Sequence, residues 1–309
     1  MVFKIDSQDL EIIKIINANA RIPLITLAKK MKLSLNAVKN RIQAMEQEGV
    51  IRGYSCELIP GCLGEETALA RITIGPDVEN LKDVVDIIGN NSLVFLVGVG
   101  LNNQLVVVFT YRTSSEIIHL ENFVKKVPFV QKIEIFLLMS SPLVDPPEIA
   151  NIDYYLVSVL RGNGRMSYQE LSQKTQISSR TLKKRIAKLV EEKIIYFPLI
   201  LSPGSSEDLI IFTAFITVMK DTNKVVFFQN LFLVYPNAWV GWIVVDKPLV
   251  IVIFYSPSIK NIQRTNELLK MDPDVKSCEI ITGGEGYYYS DWRQEYIDKM
   301  GQNRSRKGV

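Results

Sequence analysis

The chain has 309 residues, of which 47 % are hydrophobic and 22 % are charged, so it has room for two or more compact units and is too apolar for global disorder. Its net charge is only +3, so attraction to nucleic acid would have to come from a local patch. The three cysteines have no regular spacing, which argues against a disulfide framework, and one histidine, His119, leaves little material for a zinc site. We therefore expect a cytoplasmic protein without a metal or cofactor.

The first residues, "MVFKIDSQDLEIIKII", contain acidic residues and no small-residue cleavage site, so they predict a first helix and not a signal peptide. The most apolar stretch is "LFLVYPNAWVGWIVVDKPLVIVIFY". A membrane span needs roughly 20 uninterrupted apolar residues. Here Pro236 and Asp246-Lys247-Pro248 divide the stretch into pieces of strand length, so we expect no membrane insertion.

An internal repeat organises the chain. "SLNAVKNRIQAMEQEGVI", from Ser34, aligns without a gap with "SSRTLKKRIAKLVEEKII", from Ser178, and "QLVVVFTY" aligns with "PLVIVIFY" at the same offset. "VQKIEIF" and "VKSCEII" match after a slip of one residue. The chain is thus two copies of one unit. Between copy one and copy two lies "SSPLVDPPEIA", whose three prolines predict an extended linker.

Each copy begins with three predicted helices. Ser34 and Ser178 are placed as N-caps of the third helix of each copy. The apolar "GVIRGYSCEL" that follows the first triplet predicts a strand that closes the small domain. The predicted helices are Asp9–Asn19, Leu24–Lys32 and Leu35–Gln47 in copy one, and Asp153–Leu160, Tyr168–Thr175 and Ser179–Glu191 in copy two.

After the helices, the hydrophobic period changes and predicts the order β-α-β-β-α-β, which is the ferredoxin-like order. Helices would cover one face of such a sheet. "LVVVFTY" and "LVIVIFY" are apolar on both faces, so the other face also needs a cover. The favoured cover is the sheet of the other copy, packed face to face at about 10 Å. The alternative is that this face meets another molecule.

The fold class is therefore α+β: two copies of a winged helix-turn-helix followed by a ferredoxin-like domain, paired as a pseudo-dimer within the chain. "GGEG" near Gly283 is interpreted as a glycine turn. The aromatic tail could dock a partner or pack back on its own domain. The predicted domains are helix-turn-helix 1 (1–63), ferredoxin-like 1 (64–140), a linker (141–150), helix-turn-helix 2 (151–203), ferredoxin-like 2 (204–285) and a tail helix (286–309).

The third helix of each copy is the candidate DNA-binding element. One face holds the apolar core positions Val38, Ile42 and Met45, matched in copy two by Leu182, Ile186 and Leu189. The other face is polar, and its alternative interpretation is ordinary solvation. Asn and Gln can bond base edges while Lys and Arg contact phosphates, and the second helix of a helix-turn-helix enters the major groove. The candidate residues are Asn36, Lys39, Asn40, Arg41, Gln43, Arg180, Lys183, Lys184, Arg185 and Lys188.

The two candidate helices differ in charge. From Ser34 to Glu48, two cations balance two acids, whereas from Ser178 to Glu192 five cations face two acids, which leaves +3. Each phosphate contact adds close to one unit to the salt dependence of binding. We hypothesise that the second helix supplies more of the affinity and the first more of the base choice.

A family resemblance is carried by "KIDSQDLEIIKIINANARIPLITLAKKMKLSLNAVKNRIQAMEQEGVIRGYSCEL", with its Asp-x-x-Asp-Leu start, its Asn-Ala-Arg and its Gly-Val-Ile-Arg-Gly-Tyr close. Over these roughly fifty residues the chain resembles the Lrp/AsnC (feast/famine) transcription regulators. The resemblance implies a dimer formed through the sheets, so two tandem units resemble a covalently joined dimer. It also implies DNA binding by the third helix, at the ten candidate residues.

The resemblance further implies an amino-acid effector near a Gly-x-Tyr-Asp turn, and leaves homo-oligomers open. The chain departs from that pattern, with "VGVGLNNQ" in copy one and "VVDKPL" in copy two. We expect a sequence-specific DNA-binding transcriptional regulator that is not an enzyme. One alternative is an enzyme similar to siroheme decarboxylases, which would need Arg and His around a substrate rich in carboxylates. The other is a partner-binding protein that has lost DNA binding.

Overall fold

The computed structural model describes residues 4–139, 147–202, 205–206, 209–289 and 291–302. Each of its two compact units contains segments of both copies. What we call the sheet unit comprises Met1–Ile5, Glu65–Ser141 and Pro203–Tyr289, and the helical unit comprises Asp6–Gly64, Pro142–Ser202 and Ser290–Val309. Residues 140–146, which are most of the predicted linker, lie outside the described part.

Copy one begins with three helices, and the third of them has the predicted bounds. The Ser34 side chain accepts a hydrogen bond from the backbone N–H of Ala37 at 3.1 Å, which confirms the predicted N-cap. The elements are α1 (Ser7–Ala18), α2 (Leu24–Met31), α3 (Leu35–Gln47), β1 (Ile51–Tyr54), β2 (Glu57–Leu58), β3 (Glu66–Ile74), α4 (Leu81–Gly89), β4 (Val94–Gly100), β5 (Gln104–Tyr111), α5 (Ser114–Val124) and β6 (Val130–Leu137).

Copy two repeats this order and adds a last helix. The Ser178 side chain accepts from the backbone N–H of Thr181 at 3.2 Å, so the second predicted N-cap is also confirmed. The elements are α6 (Asn151–Arg161), α7 (Tyr168–Thr175), α8 (Ser179–Glu191), β7 (Ile195–Tyr196), β8 (Leu199–Leu201), β9 (Ile210–Val218), α9 (Lys224–Val234), β10 (Ala238–Ile243), β11 (Leu249–Ser256), α10 (Ile259–Met271), β12 (Val275–Tyr288) and α11 (Asp291–Gln302).

In the helical unit, the strand that follows each third helix pairs with the other copy. β1 pairs with β8, and β2 pairs with β7, both antiparallel. The predicted strand in "GVIRGYSCEL" is confirmed as β1, but it closes the small domain by pairing with copy two and not with copy one. Strands of two to four residues cannot satisfy their backbone groups alone. The two helix-turn-helix segments consequently form one body.

The tail packs back on its own unit. α11 lies along α6, where Asp298 accepts a hydrogen bond from the Ser158 hydroxyl and the rings of Tyr154 and Tyr296 meet edge to face at 6.2 Å. Of the predicted tail helix, residues 286–288 instead continue β12.

The sheet unit contains one eight-stranded sheet in the order β10-β11-β9-β12-β4-β5-β3-β6. Each half has the ferredoxin-like order, and β12 of copy two pairs with β4 of copy one. The outer ends also meet, because Leu138 forms an isolated bridge with Val244 and the N–H of Met139 donates to the carbonyl of Ile243 at 2.8 Å. The halves are thus joined along both edges.

A shared apolar cluster lies between the two halves of the sheet. Phe136 of copy one meets Phe215 of copy two with ring centroids 5.5 Å apart. The opposite faces carry separate clusters with α4 and α5 in copy one and α9 and α10 in copy two. This confirms the predicted burial of the open faces of the two copies against each other within the chain, although the strands form one continuous sheet and not the two separate sheets that were expected. The buried members are Leu69, Val106, Phe136, Leu138, Phe215, Val244, Leu249, Ile251 and Ile281.

One arginine in this seam binds both copies. The guanidinium of Arg71 contacts Glu134 and Glu279 at 2.6 Å each, and it lies 4.8 Å from the centroid of the Phe215 ring. Glu134 and Glu279 occupy matching positions in the repeat, whereas Phe215 stands where copy one has Arg71. The single guanidinium of Arg71 therefore forms ion pairs with the matching glutamates of both copies.

The interpretation of "GGEG" as a glycine turn was wrong, because Gly283 lies inside β12 and faces Gly100 of β4. A Cβ on Gly283 would stand 2.7 Å from the carbonyl oxygen of Val99. The glycine permits close approach of two strands and not a change of direction. Among the described residues no helix is long and apolar enough to cross a membrane.

Candidate nucleic-acid interface

The two helix-turn-helix segments share their geometry. The preceding helix ends in each copy at a residue with left-handed backbone, Lys32 (φ 54°) and Gln176 (φ 58°), which turns the chain toward the next helix. The predicted core positions of α3 and α8 are all buried. Their apolar faces fix which side of each helix is turned outward.

On α3, four of the five candidate residues are exposed: Asn36, Lys39, Asn40 and Gln43. Three of these are amides and one is a cation, so the outward face offers donors and acceptors with little charge. This composition suits contacts with base edges in the major groove.

On α8, the exposed candidates are all cations: Arg180, Lys183, Lys184 and Lys188. Lys188 lies 3.6 Å from Glu192 in a solvent-exposed pair, which is weak and easily exchanged for a phosphate. Arg180, Lys184 and Lys188 also line an open cleft of about 480 Å³ beside Glu148 and the N-terminus of α6. This face suits phosphate contacts.

Arg41 differs from the other candidates on α3, because acidic residues near α1 hold it. Its guanidinium lies 2.8 Å from Asp6 and 2.9 Å from Asp9, and it donates to the side-chain oxygen of Gln8 at 2.6 Å. The Asp9 side chain is 2 % exposed. The hydrogen bond to Asp9 raises the pKa of Arg41. This arginine ties α3 to α1.

The same contact recurs in copy two. Both Nε and Nη2 of Arg185 donate to the carboxylate of Asp153, whose side chain is 9 % exposed. The geometry therefore separates Arg41 and Arg185 from the exposed candidates, and it favours a positioning role over the direct DNA contact expected from the sequence. The visible signal was the repeat itself, which places an Asp and an Arg 32 residues apart in each copy.

A second pair of matching arginines joins the two helix-turn-helix segments. Arg21 of copy one donates to the carbonyl of Gly164 at 2.7 Å, and its guanidinium lies 4.8 Å from the centroid of the Tyr168 ring in copy two. Reciprocally, Arg165 lies 4.6 Å from the ring centroid of Tyr54. Sequence reasoning aligned these arginines but assigned them no contact.

A buried ion pair adds to the same junction. The Nε of Arg161 on α6 lies 3.1 Å from Glu57 of β2, with side chains 6 % and 8 % exposed. Such a pair costs much to break, because removal of either member leaves a buried charge. The two candidate helices are thus held in one fixed arrangement.

The comparisons with known proteins match this geometry. The family model for winged helix-turn-helix DNA-binding domains matches residues 5–52 and again residues 151–196. An uncharacterised HTH-type transcriptional regulator of Pyrococcus horikoshii is 41 % identical over 83 residues, which are 26 % of this chain and 54 % of that protein. The HTH-type transcriptional regulator LrpA of the same organism is 40 % identical over 60 residues, 19 % of this chain and 43 % of that protein.

The two helix-turn-helix segments are similar to those of HTH-type transcriptional regulators that include LrpA. The chain carries this winged helix-turn-helix twice, and it spans about half the length of the curated relatives that it matches. The fold of the chain also has a full-length structural counterpart. The crystal structure of the siroheme decarboxylase NirDL is similar over 97 % of this chain and 100 % of that chain, with a TM-score of 0.58 and 11 % identity. At this identity the likeness shows a shared fold alone.

Few groups in the described part of the chain could carry chemistry. Among the described residues, no three His, Cys, Asp or Glu side chains are grouped to hold a metal ion. His119 lies on the exposed face of α5. Burial raises the pKa of the thiols of Cys56, Cys62 and Cys278, which favours the unreactive protonated form.

Proposed function

We propose that the chain is a sequence-specific DNA-binding transcriptional regulator that contacts double-stranded DNA, in the cytoplasm, with two non-identical recognition helices. The observation that carries this proposal is the pair of helices α3 and α8, capped and packed alike, whose outward faces bear only amides and cations among the exposed candidates. The named transcriptional regulators among the relatives support it.

The proposed roles follow from side-chain chemistry. Asn36, Asn40 and Gln43 hydrogen-bond base edges, because an amide can bond adenine bidentately. Lys39 contacts the adjacent phosphates. On α8, the exposed cations contact phosphates and so fix the orientation of the protein on the duplex. The roles of Arg41 and Arg185 are to hold α3 and α8 in place through Asp9 and Asp153.

The contacts between the two helix-turn-helix segments allow α3 and α8 to bind the same DNA together, with base contacts from α3 and phosphate contacts from α8. Because Arg21, Arg165 and the Arg161–Glu57 pair hold both segments in one body, binding orders few additional groups. Because the two helices are held rigidly, the sequence specificity supplied by α3 is combined with the affinity supplied by α8. The proposed site is therefore one DNA segment contacted at two places.

The test is fluorescence anisotropy with the full chain and labelled DNA from upstream of its own gene, against random DNA of equal length. The variant Asn36→Ala/Asn40→Ala/Gln43→Ala should keep affinity for random DNA and lose most of its preference for the specific DNA, at about 1–3 kcal/mol per bidentate contact. The control is Lys125→Ala directly after α5, where the side chain is 56 % exposed, and it should change neither. Absence of binding to any DNA at low salt would reject the proposal and favour a partner-binding protein.

An amino-acid effector is the second partner class to test, and the sheet unit offers a cavity for it between β4, α4 and the end of β12. A cavity of about 320 Å³ lies beside the turn after β4, lined by Leu101, Val85 and the oppositely charged Lys82 and Glu285. These charges suit the carboxylate and ammonium groups of an amino acid. Thermal-shift measurements with the twenty amino acids should show stabilisation for an effector, and a flat result would indicate regulation without one.

The full-length fold match motivates one enzymatic control. Siroheme decarboxylation needs cationic and imidazole groups around a substrate with many carboxylates. The single histidine of this chain is exposed on α5, so we propose that the chain is not an enzyme of this type. Incubation with siroheme should give no bound Soret band and no loss of carbon dioxide. A bound chromophore with turnover would replace the regulatory proposal by the enzymatic one.

A further inference from the structure

The first residue of α3, Leu35, is an exposed apolar side chain at the end of the helix proposed to meet DNA. Leu35 is 44 % exposed, and it directly precedes Asn36, which is exposed as well. The N-terminal residues of a recognition helix are those that contact base edges in the major groove. Leu35 therefore lies where a base contact is expected, although the candidates chosen from the sequence are all polar.

The capping of α3 does not require a leucine at this position. Ser34 caps the helix by accepting a hydrogen bond from the N–H of Ala37. The apolar contact that often accompanies such a cap joins the residue before the cap to the fourth helical residue, which here are Leu33 and the buried Val38. The first helical position takes no part in that contact, so the exposed apolar side chain of Leu35 needs another explanation.

Copy two has polar residues at the matching positions. The hydroxyl of Ser179, which matches Leu35, donates to the backbone carbonyl of Tyr168 at 3.0 Å, so the first turns of α7 and α8 lie next to each other. The corresponding turns of copy one carry a second exposed apolar residue, because Ile25, which is 57 % exposed, stands where copy two has Gln169. Exposed apolar residues thus begin α2 and α3 in the copy whose third helix bears the amides.

An adenine–thymine pair offers a partner to both kinds of side chain on the first turn of α3. In the major groove, adenine presents its N7 acceptor and N6 donor to an amide, and the thymine of the same pair presents its C5-methyl group. An amide that bonds adenine therefore has a methyl group close by. Contact between this methyl group and a leucine removes apolar surface of both from water. The sequence of Leu35 and Asn36 matches these two features of the pair.

We propose that Leu35 contacts the C5-methyl group of a thymine in the major groove, next to an adenine that is bonded by Asn36. The inference rests on the proposed DNA binding, and it adds the class of base pair that α3 selects. Ser179 gives α8 no such apolar contact. The two halves of the bound DNA therefore differ, because a thymine methyl group contributes to affinity under α3 and not under α8.

The test replaces thymine by deoxyuridine, which pairs with adenine in the same way and lacks only the C5-methyl group. Fluorescence anisotropy compares the two forms of a duplex that the full chain has selected from a random pool. The wild type should bind the uracil form roughly 4-fold more weakly, because burial of one methyl-sized group is worth about that factor. Leu35→Ala should bind both forms alike, at about the affinity of the wild type for the uracil form. The matched control is Val190→Ala near the end of α8, at a residue that is 42 % exposed, and it should keep the difference between the two forms.

Replacement of the thymines one at a time gives an independent measurement on the wild type. The loss of affinity should be confined to one half of the bound duplex, and equal losses in both halves would contradict the difference between Leu35 and Ser179. Leu35→Ser provides a second variant should Leu35→Ala fail to fold, and it should also bind both forms alike.

The outcomes separate this inference from the proposed function. Equal wild-type affinity for the thymine and uracil forms would overturn the inference and leave the DNA binding intact. A Leu35→Ala chain that keeps the wild-type difference would also overturn it, because another residue would then contact the methyl group. Selection that yields no preferred duplex would overturn the sequence-specific function and this inference together.

Discussion

The third helices of the two copies, α3 and α8, share a framework and differ on their outward faces. Both are capped by a serine, and both are tied through an arginine to a buried aspartate of the first helix. The exposed faces carry amides in one and cations in the other. The comparison teaches that the contacts which set the position of the helix are separable from those proposed to meet DNA.

The largest expected effect concerns the cations of α8. Arg180→Ala/Lys183→Ala/Lys184→Ala should weaken DNA binding roughly 100- to 1000-fold at 50 mM salt and lower the salt slope by about 3, because each lost phosphate contact removes about 0.9. The matched set Asn36→Ala/Lys39→Ala/Asn40→Ala should lower the slope by only about 1. Titrations at several salt concentrations measure both slopes. Equal slopes for the two variants would show that the division between α3 and α8 is wrong.

The pairing of β12 with β4, which joins the two halves of the sheet, offers a second comparison. Gly283→Val should destabilise the sheet unit by about 2–3 kcal/mol, because its Cβ would meet the Val99 carbonyl at 2.7 Å. The control is Gly286→Ala in the same strand, where the new Cβ meets a side-chain atom of Leu96 at 3.5 Å. Urea unfolding measures both. A Gly283→Val chain as stable as the control would mean that β12 and β4 do not depend on this close approach.

The next largest effect is expected from the ion pairs that join the third helix of each copy to its first helix. Arg41→Ala should lower the free energy of unfolding by about 2 kcal/mol, less than for a fully buried pair because its side chain is 29 % exposed. Arg185→Ala should cost less, since its side chain is 36 % exposed. Neither should change the salt slope of DNA binding once the fold is intact. A slope reduced by one unit in a folded Arg41 variant would restore this residue to the DNA contacts.

The smallest expected effect is a pH dependence at the Arg71 seam. Burial of Glu134 acts to raise its pKa, but the hydrogen bonds and charge of Arg71 outweigh burial, so the pKa lies below its ordinary value. A lowered carboxyl pKa adds stability that is present above the unfolded value and is lost as the pH falls through the folded value. Chemical unfolding at pH 7 and below pH 4 should show a loss that shrinks in Arg71→Met by under about 1 kcal/mol. The same pH dependence in both chains would contradict this account.

Much of this architecture was predictable from local signals. The bounds of α3 and α8 follow from a serine cap and a helical period, and both signals lie within the helix itself. Strands that are apolar on both faces, such as β5 and β11, require a cover on each face, which predicts the shared core around Phe136 and Phe215. Such patterns are readable because each residue's environment is fixed by its neighbours in sequence.

The remaining features depend on distant partners. Nothing in "VIRGY" indicates that β1 pairs with β8, because the residue pattern of a strand does not identify the strand with which it pairs. Glycines serve turns and close approaches alike, which is why Gly283 was misinterpreted. Arg41 sits on the shoulder of an exposed helix, where a phosphate and a carboxylate are equally plausible partners, and only the structure shows that Asp9 takes that place.

The exchange of short strands between the copies has a consequence for synthesis. β1 leaves the ribosome long before β8 exists, since the strands are separated by more than a hundred residues. Until then, β1 and β2 lack their partners β8 and β7, and one edge of β4 stays unpaired until the end of β12 is synthesised. Contacts so far apart in sequence slow folding. The nascent chain therefore spends most of its translation with unpaired strands, and its final structure forms only when the last strand is released.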